Sequence, residues 1–350
     1  VKEIKLSTAY PEFSSEIIDG VISNLREKLF YIADEGLYFT NKPNLNRIIL
    51  TKEENVTKGE IVEEERRTIE DHISKSPRFK VYTWPSFPKD VSDTPDLKLV
   101  ILNKTEPGRD FLEKCGEYPR VYRNTFIFLC PDEGQRESFW DFLRKNLALR
   151  FISSDKSLKL TDAQRKEVAN KIKSYEQRSY EELRKCYRKV FLPAKDGFKK
   201  IDLGLPTFGE RFLDVELFST LRGEGEILER LSAAVIKEKY LKDKDYVESR
   251  KLYEAFLKIP GEIRLFSPKG LQEGIKEGVE NGIFGLGYLR DGDVVCEFIN
   301  QTPSVDLKDG EVIIKPELCV KEREEVKGVI SKDEVRLSEG EREEREELPI

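Results

Sequence analysis

The N-terminal part of the chain carries its apolar residues at helical spacing. Between residues 14 and 33 they recur every three or four positions, which predicts an amphipathic helix. A turn and a short strand are predicted at residues 34–39, and residues 58–75 show a second, more highly charged helical pattern. We therefore expect residues 1–76 to form a helical segment with a short hairpin.

From residue 77 onward the pattern changes to short runs rich in apolar residues. They lie at residues 80–84, 97–102 and 125–130, with shorter ones at 190–192 and 201–203. Runs of this length are typical of buried strands, and helical patterns lie between and after them. Strands that alternate with helices indicate the α/β class, so we predict a mostly parallel sheet domain over residues 77–208.

The clearest helical pattern of this domain begins at Thr161. Thr161 and Gln164 form the sequence signature of a capping box, and apolar residues then fall on one stripe from Val168 to Val190. Pro193 ends the pattern. A long helix is therefore expected between Thr161 and about residue 190.

Three helical patterns and a hairpin occupy residues 209–302. The helices are predicted near residues 223–241, 246–258 and 268–281, and the hairpin pairs 284–288 with 294–298. This order is that of a winged-helix domain. Residues 303–350 are expected to add one strand and a charged tail.

The composition excludes several classes of protein. No apolar run approaches the length of a membrane span, and the first residues lack the apolar core of a secretory signal, so we expect a cytoplasmic protein. The five cysteines form no Cys-x-x-Cys pair and are predicted to be reduced thiols. The one histidine, His72, lies in a glutamate-rich helical stretch and is expected to be exposed.

Charge is unevenly distributed along the chain. The formal net charge is −6, yet residues 136–200 contain 18 Lys/Arg and 9 Asp/Glu. On the predicted long helix, Lys171, Arg178, Lys185 and Lys189 fall within a narrow arc, which Arg184 and Arg188 extend. Such a stripe is predicted to contact the phosphates of DNA or an acidic protein surface, with a solvated helix face as the alternative. In the winged-helix segment, Lys269 and Arg290 are the candidate DNA contacts.

Catalytic chemistry has few candidates. The chain has no phosphate-binding loop of the G-x-x-x-x-G-K-[ST] type, so we predict no cofactor site in it. Asp132 and Glu133 follow a buried strand and are interpreted as the start of a helix. The alternative is a metal-dependent nuclease or nucleotide hydrolase that uses these acids, with Asp202 as the second acidic strand end. A third hypothesis is a purely structural subunit.

Several blocks of the chain resemble a family of predicted AAA+ ATPases that contain domain of unknown function 499. The blocks are LREKLFYIADEGLYFTNKPNLNRII, WPSFPKDVSDTPDLKLVIL and RNTFIFLCPDEGQRESF, then YRKVFLPA, the region from LYEAFLKIP to GIFGLGY, and EVIIKPEL, over roughly residues 15–318. Members are often encoded beside DNA methyltransferases and helicases in restriction or anti-phage loci. The resemblance implies an ATP- and Mg²⁺-dependent DNA-processing system in which this chain corresponds to the part after the ATPase core. The implied partner is an ATPase domain or subunit, and the function expected here is non-catalytic.

Overall fold

The computed structural model describes residues 2–8, 14–29, 38–39 and 44–319. The turn predicted at residues 34–36 and the charged tail at 320–350 lie outside the described residues. Up to residue 131 the elements are α1 (Lys2–Ser7), α2 (Ser15–Lys28), α3 (Leu45–Asn55), α4 (Lys58–Asp71), β1 (Lys80–Thr83), β2 (Lys98–Ile101), α5 (Asp110–Glu113), β3 (Lys114–Cys115), β4 (Tyr118–Pro119) and β5 (Phe126–Pro131).

The elements that follow residue 131 begin with two long helices. They are α6 (Glu133–Ser154), α7 (Asp162–Cys186), β6 (Tyr187–Ala194), β7 (Gly197–Asp202), α8 (Leu213–Gly223), β8 (Ile227–Leu228), α9 (Ala233–Val235), a π-helical segment (Ile236–Leu241), β9 (Tyr246–Glu248), α10 (Ser249–Lys258), β10 (Arg264–Leu265), α11 (Lys269–Glu280), β11 (Gly285–Arg290), β12 (Asp293–Phe298) and β13 (Glu311–Ile314).

A five-stranded sheet with the order β1-β2-β5-β6-β7 forms the centre of the first part. Strands β1, β2 and β5 are parallel, and β6 and β7 extend the sheet as an antiparallel hairpin. The predicted α/β class and mostly parallel sheet are therefore confirmed. All five apolar runs of the sequence lie in or beside these strands.

Both faces of the sheet are covered. Leu99, Ile101, Ile127 and Leu129 point to one face, where α4, α6, α7 and α8 pack against them. The intervening residues of the same strands point to the other face, which is covered by the segment around Val91 and by α5. This alternation follows from the two-residue period of a strand, and burial on both faces explains the continuous apolar runs.

The long helix α7 begins where the sequence predicts and ends earlier. Thr161 and Gln164 form the capping box, but the helix stops at Cys186. Tyr187 and the residues after it form β6, which pairs with β5 on one side and β7 on the other. The prediction of a helix to residue 190 is wrong because the pairing of a central strand outweighs the helical spacing of its apolar residues.

The second part of the chain is built around an antiparallel sheet with the order β12-β11-β13-β9. The predicted hairpin is present as β11 and β12, and the turn between them places Asp291 and Gly292 at positive φ. The helix predicted at residues 223–241 is wrong in its first half, because helical structure in this range begins only at α9 and continues as the π-helical segment. Instead α8 ends at Gly223, and β8 separates it from α9, because α8 packs on the first core and α9 on the second.

Two buried polar side chains join the two parts. The amide nitrogen of Asn124 donates to the carbonyl oxygens of Phe256 (2.7 Å) and Glu262 (3.0 Å). The guanidinium of Arg264 donates to the carbonyl oxygens of Asn124 and Pro193. Since Asn124 is 0% and Arg264 5% exposed, these bonds fix the second part against the start of β5.

The cysteines correct another prediction. Cys296 on β12 and Cys319 form a disulfide, whereas all five cysteines were expected to be reduced. Spacing along the chain gives no sign of this pair, because 23 residues separate the two thiols and the sheet brings them together. Cys115, Cys130 and Cys186 are free thiols.

Candidate functional site

The predicted basic stripe is not one continuous surface. Lys171, Arg178 and Lys185 lie on α7, Arg188 and Lys189 lie on β6, and Arg184 is buried in the core. Its members on α7 each pair with a glutamate one helical turn away. The pairs are Lys171 with Glu167 (3.3 Å), Arg178 with Glu182 (3.0 Å) and Lys185 with Glu181 (2.7 Å). Such exposed pairs contribute only about 0.5 kcal/mol each. They nevertheless place a carboxylate beside every cation, so this face of α7 has little net positive potential.

Arg184 is a core residue rather than part of a surface stripe. Its side chain is 1% exposed, and its Nε lies 3.2 Å from the Oε2 of Glu216, which is 3% exposed. Its Nη2 donates to the carbonyl oxygen of Leu203 at 3.1 Å. The prediction that Arg184 contacts DNA is therefore wrong, because the side chain faces α8 and the end of β7.

Arg188 and Lys189 lie on β6 and not on the helix. The Nε of Arg188 and the Nζ of Lys189 each lie 2.6 Å from a carboxylate oxygen of Asp202 on β7. These two cations hold the pKa of Asp202 well below its usual range. The last two members of the predicted stripe are thus engaged in a cross-strand ion cluster.

The acidic candidates meet in the same cluster. Asp132 is the N-cap of α6 and accepts a hydrogen bond from the backbone N–H of Gly134 at 3.1 Å. Its other carboxylate oxygen lies 3.3 Å from the Nζ of Lys189, which also contacts Asp202. Asp132 and Asp202 are therefore neighbours, as the nuclease hypothesis requires, but a lysine lies between them. Glu133 is exposed in the first turn of α6.

Metal ligation is not favoured by this arrangement. Asp132 uses its two oxygens as a helix cap and an ion pair, and Asp202 accepts from Arg188, Lys189 and the N–H of Gly204. Within the residues that the structure describes, no group of three or more His, Cys, Asp or Glu side chains could hold a metal ion.

Lys269 and Arg290, the two candidate DNA contacts in the second part, lie on different elements. Lys269 is exposed at the first residue of α11. Arg290 is exposed at the end of β11, where its Nη2 lies 2.6 Å from the carboxylate of Glu297 on β12. They share neither an element nor an ion pair, and each is separate from the ion cluster of β6 and β7.

His72 is half-buried rather than exposed as predicted. Its Nδ1 lies 2.9 Å from the carbonyl oxygen of Arg211 and its Nε2 lies 2.8 Å from the Oγ of Ser179. Because a carbonyl only accepts, Nδ1 carries the proton and donates to Arg211, while the Ser179 hydroxyl beside Nε2 also donates to the carbonyl oxygen of Glu176 at 2.9 Å. Burial lowers the pKa of His72. The residue ties α4 to α7 and to the segment that precedes α8.

Basic residues that the sequence interpretation did not single out lie at the turn between α6 and α7. Four of them are exposed and form no ion pair with any other described residue: Lys156, Lys159, Arg165 and Lys166. The acidic residues within the turn are Asp155, which pairs with Lys52 at 2.9 Å, and Asp162. We call these four cations the α6–α7 tip.

The backbone that carries the tip is firmly packed. Leu158 and Leu160 contact a buried cluster that α3, α6 and α7 share, which contains Leu45, Ile48, Leu149, Ile152 and Val168. Thr161 and Gln164 fix the start of α7. The charge excess of residues 136–200 was the sequence signal for this surface, and the tip brings together four of its cations that have no carboxylate partner among the described residues.

A wide groove runs along the C-terminal half of α7, away from the α6–α7 tip. It has a volume of about 1180 Å³ and lies between α7 and residues 205–211. Leu205 and Phe208 border the groove, and both side chains are almost entirely exposed. Lys173, Lys185, Glu176 and Glu181 also line it, so its charge is mixed.

Comparisons with protein-family models, with curated proteins and with solved structures give no match. Among the described residues, no helix combines the length and the apolar character needed to cross a membrane.

Proposed function

We propose that the chain is a non-catalytic DNA-binding module whose main contact with phosphate is the α6–α7 tip. One contrast supports this proposal. Every predicted stripe cation on α7 and β6 has a carboxylate partner, whereas Lys156, Lys159, Arg165 and Lys166 have none among the described residues. Cations without partners leave a positive potential that a polyanion neutralises.

The position of the tip favours contact with an extended phosphate backbone. The two helices that carry it have 22 and 25 residues and present the turn at their shared end. The N-terminus of α7 adds the partial positive charge of a helix start. Each phosphate that the tip neutralises would release counterions, so binding is expected to weaken steeply with salt, by about 0.9 logarithmic units per contact.

The resemblance to AAA+ ATPases that contain domain of unknown function 499 agrees with this role. It implies that DNA binding here serves an ATP-dependent machine whose nucleotide site, with ATP and Mg²⁺, lies in an ATPase partner. On this proposal Lys269 and Arg290 are secondary contacts. The winged-helix assignment of residues 209–302 remains a hypothesis supported by the order of α9, α10, α11 and the β11–β12 hairpin.

A salt-titrated binding assay tests the proposal. Fluorescence anisotropy of labelled duplex and single-stranded DNA would be measured at about 50 mM and about 200 mM salt. The test variant carries Lys156→Glu, Lys159→Glu, Arg165→Glu and Lys166→Glu. The matched control carries Lys171→Glu, Arg178→Glu and Lys185→Glu on α7 and Arg67→Glu on α4, all of which have a carboxylate partner, with the same change in net charge.

The expected result is a loss of affinity of roughly a hundredfold in the tip variant at low salt and a much smaller loss in the control. Circular dichroism would verify that both variants are folded. Absence of binding by the unsubstituted chain at low salt, or equal losses in the two variants, would contradict the proposal.

Protein docking is the second candidate function. The observation that favours it is the pair Leu205 and Phe208, two exposed apolar side chains beside the groove on α7. Substituting both with Asp should abolish binding of an ATPase partner subunit without changing DNA affinity. An unchanged pull-down of that subunit would contradict docking at this groove.

A further inference from the structure

A second cationic site lies at the junction of the two parts of the chain. Three cations from three different elements line one cavity of about 400 Å³: Arg109 before α5, Arg123 before β5 and Lys195 in the β6–β7 turn. Pro260 of the second part closes one side. The volume is within the range of small-molecule sites.

None of the three cations forms an ion pair with another described residue. The arrangement is specific to the fold rather than to one helix face, because the β6–β7 turn, the start of β5 and the start of α5 must meet to build it. Gly197 also lies against Arg109, whose Nη2 is 3.8 Å from the position a Cβ would take. Three cations against two carboxylates leave the lining of the cavity with a net positive charge, which favours a bound anion.

The remaining wall residues define the rest of the ligand. Glu113 and Asp196 line the cavity, and their carboxylates can accept hydrogen bonds from hydroxyl groups. Leu112, Ala194 and Phe198 supply an apolar surface. A ligand that is complementary to the cationic, acidic and apolar parts of the lining has one phosphate group and a hydroxyl-bearing ring.

We infer that this cavity binds a phosphate monoester carried on a sugar, as in a mononucleotide or at the 5′ end of a nucleic-acid strand. The phosphate contacts Arg109, Arg123 and Lys195, and the sugar hydroxyls donate to Glu113 and Asp196. The inference does not rest on the DNA-binding proposal, because the cavity and the α6–α7 tip share no residue.

Calorimetric titration with ribose 5-phosphate tests the site, with ribose and inorganic phosphate as reference ligands. Arg109→Ala and Arg123→Ala are each expected to weaken ribose 5-phosphate binding roughly tenfold or more, the effect of losing one charge-assisted hydrogen bond. Asp196→Asn should tighten the binding of inorganic phosphate. Lys276→Ala is the matched control, because Lys276 is an exposed cation on α11 without an ion pair among the described residues.

Two further arms identify the source of the phosphate. Tighter binding of a 5′-phosphorylated oligonucleotide than of its 5′-hydroxyl counterpart would assign a strand end, and equal binding of the two with tight binding of a mononucleotide would assign the free ligand. The α6–α7 tip variant should bind ribose 5-phosphate normally. The inference is overturned if no phosphate compound binds at millimolar concentration, or if Arg109→Ala and Arg123→Ala bind as tightly as Lys276→Ala.

Discussion

The guanidinium of Arg184 and the carboxylate of Glu216 form an ion pair inside the core, between α7 and α8. The Nε and Oε2 atoms are 3.2 Å apart, in a charge contact rather than an aligned hydrogen bond. Glu216 also accepts hydrogen bonds from the hydroxyl of Tyr180 and from the backbone and side chain of Thr207. The carboxylate thereby joins α7 to the segment that leads into α8.

Breaking this pair should destabilise the fold strongly. Arg184→Met leaves the buried charge of Glu216 without its cation, and Glu216→Gln leaves Arg184 without its anion. Each change is expected to lower the free energy of unfolding by about 3–5 kcal/mol, as urea denaturation would measure. Lys171→Met, which removes an exposed pair, is the control and should cost at most about 0.5 kcal/mol. Similar losses at Arg184 and Lys171 would contradict the buried-pair interpretation.

The stability of the protein should depend on pH through His72. Burial is the largest influence on this side chain and lowers its pKa from 6.5, so the unfolded state takes up the proton first. The contribution of neutral His72 is present above pH 6.5 and is lost as the pH falls below that value toward the folded-state pKa.

Comparing the unsubstituted chain with His72→Gln measures this contribution. Gln keeps a donor for the carbonyl oxygen of Arg211 but does not titrate. The free energy of unfolding should fall less in the variant than in the unsubstituted chain between about pH 7.5 and about pH 5.5. Identical pH profiles would show that His72 has the same pKa in the folded and unfolded states.

The sequence predicts the sheet well because its strands are buried on both faces. Residues 99–102 and 126–130 are apolar without interruption, which is typical of a strand between two layers. The end of α7 is harder to predict, since Val190 satisfies both the helical stripe and the strand pattern. Strand pairing with β5 decides between the two patterns, and it involves residues about sixty positions earlier in the chain.

The charge pattern of the sequence likewise predicts only part of the candidate site. Counting residues correctly locates an excess of cations in residues 136–200, but only the fold determines which cations have partners. Arg184 pairs with Glu216 and Lys189 pairs with Asp202, and in each case the partner lies on a different element. Helical periodicity takes into account the residues of one element only. It therefore placed Arg184 and Lys189 on the surface stripe and did not distinguish the α6–α7 tip from the other cations.

The free thiols should differ in reactivity. Burial raises the pKa values of Cys130 and Cys186 to about 12, so neither forms a thiolate at neutral pH, and both are inaccessible. Cys115 is only half-buried. Brief alkylation of the native protein followed by peptide mass spectrometry should therefore modify Cys115 well before the other two. Equal modification of the three in folded protein would contradict the described core.

The disulfide between Cys296 and Cys319 should stabilise the second part of the chain. A disulfide across 23 residues reduces the conformational entropy of the unfolded chain, which stabilises the folded state by about 3 kcal/mol at most. Reduction with dithiothreitol is expected to lower the denaturation midpoint, and the double variant Cys296→Ser/Cys319→Ser should be insensitive to the reductant. If dithiothreitol lowers the denaturation midpoint of the double variant by the same amount, the shift does not come from loss of this disulfide.

The glycines of α11 should be intolerant of any side chain. Gly270, Gly274 and Gly278 recur every four residues and form one helix face. A Cβ at Gly274 would lie 1.9 Å from the carbonyl oxygen of Leu231, which is backbone and cannot rotate away. Gly274→Ala should therefore force α11 away from the 229–231 segment and cost at least about 1–3 kcal/mol of stability, despite the higher helix propensity of Ala.

The matched control for Gly274 is Glu273→Ala, one position earlier on the exposed face of the same helix. It should change the free energy of unfolding by no more than about 0.5 kcal/mol. A stabilised Gly274→Ala variant would mean that α11 does not pack closely on the 229–231 segment. In that case its glycine face would be open to a partner or to a DNA groove, as a recognition helix requires.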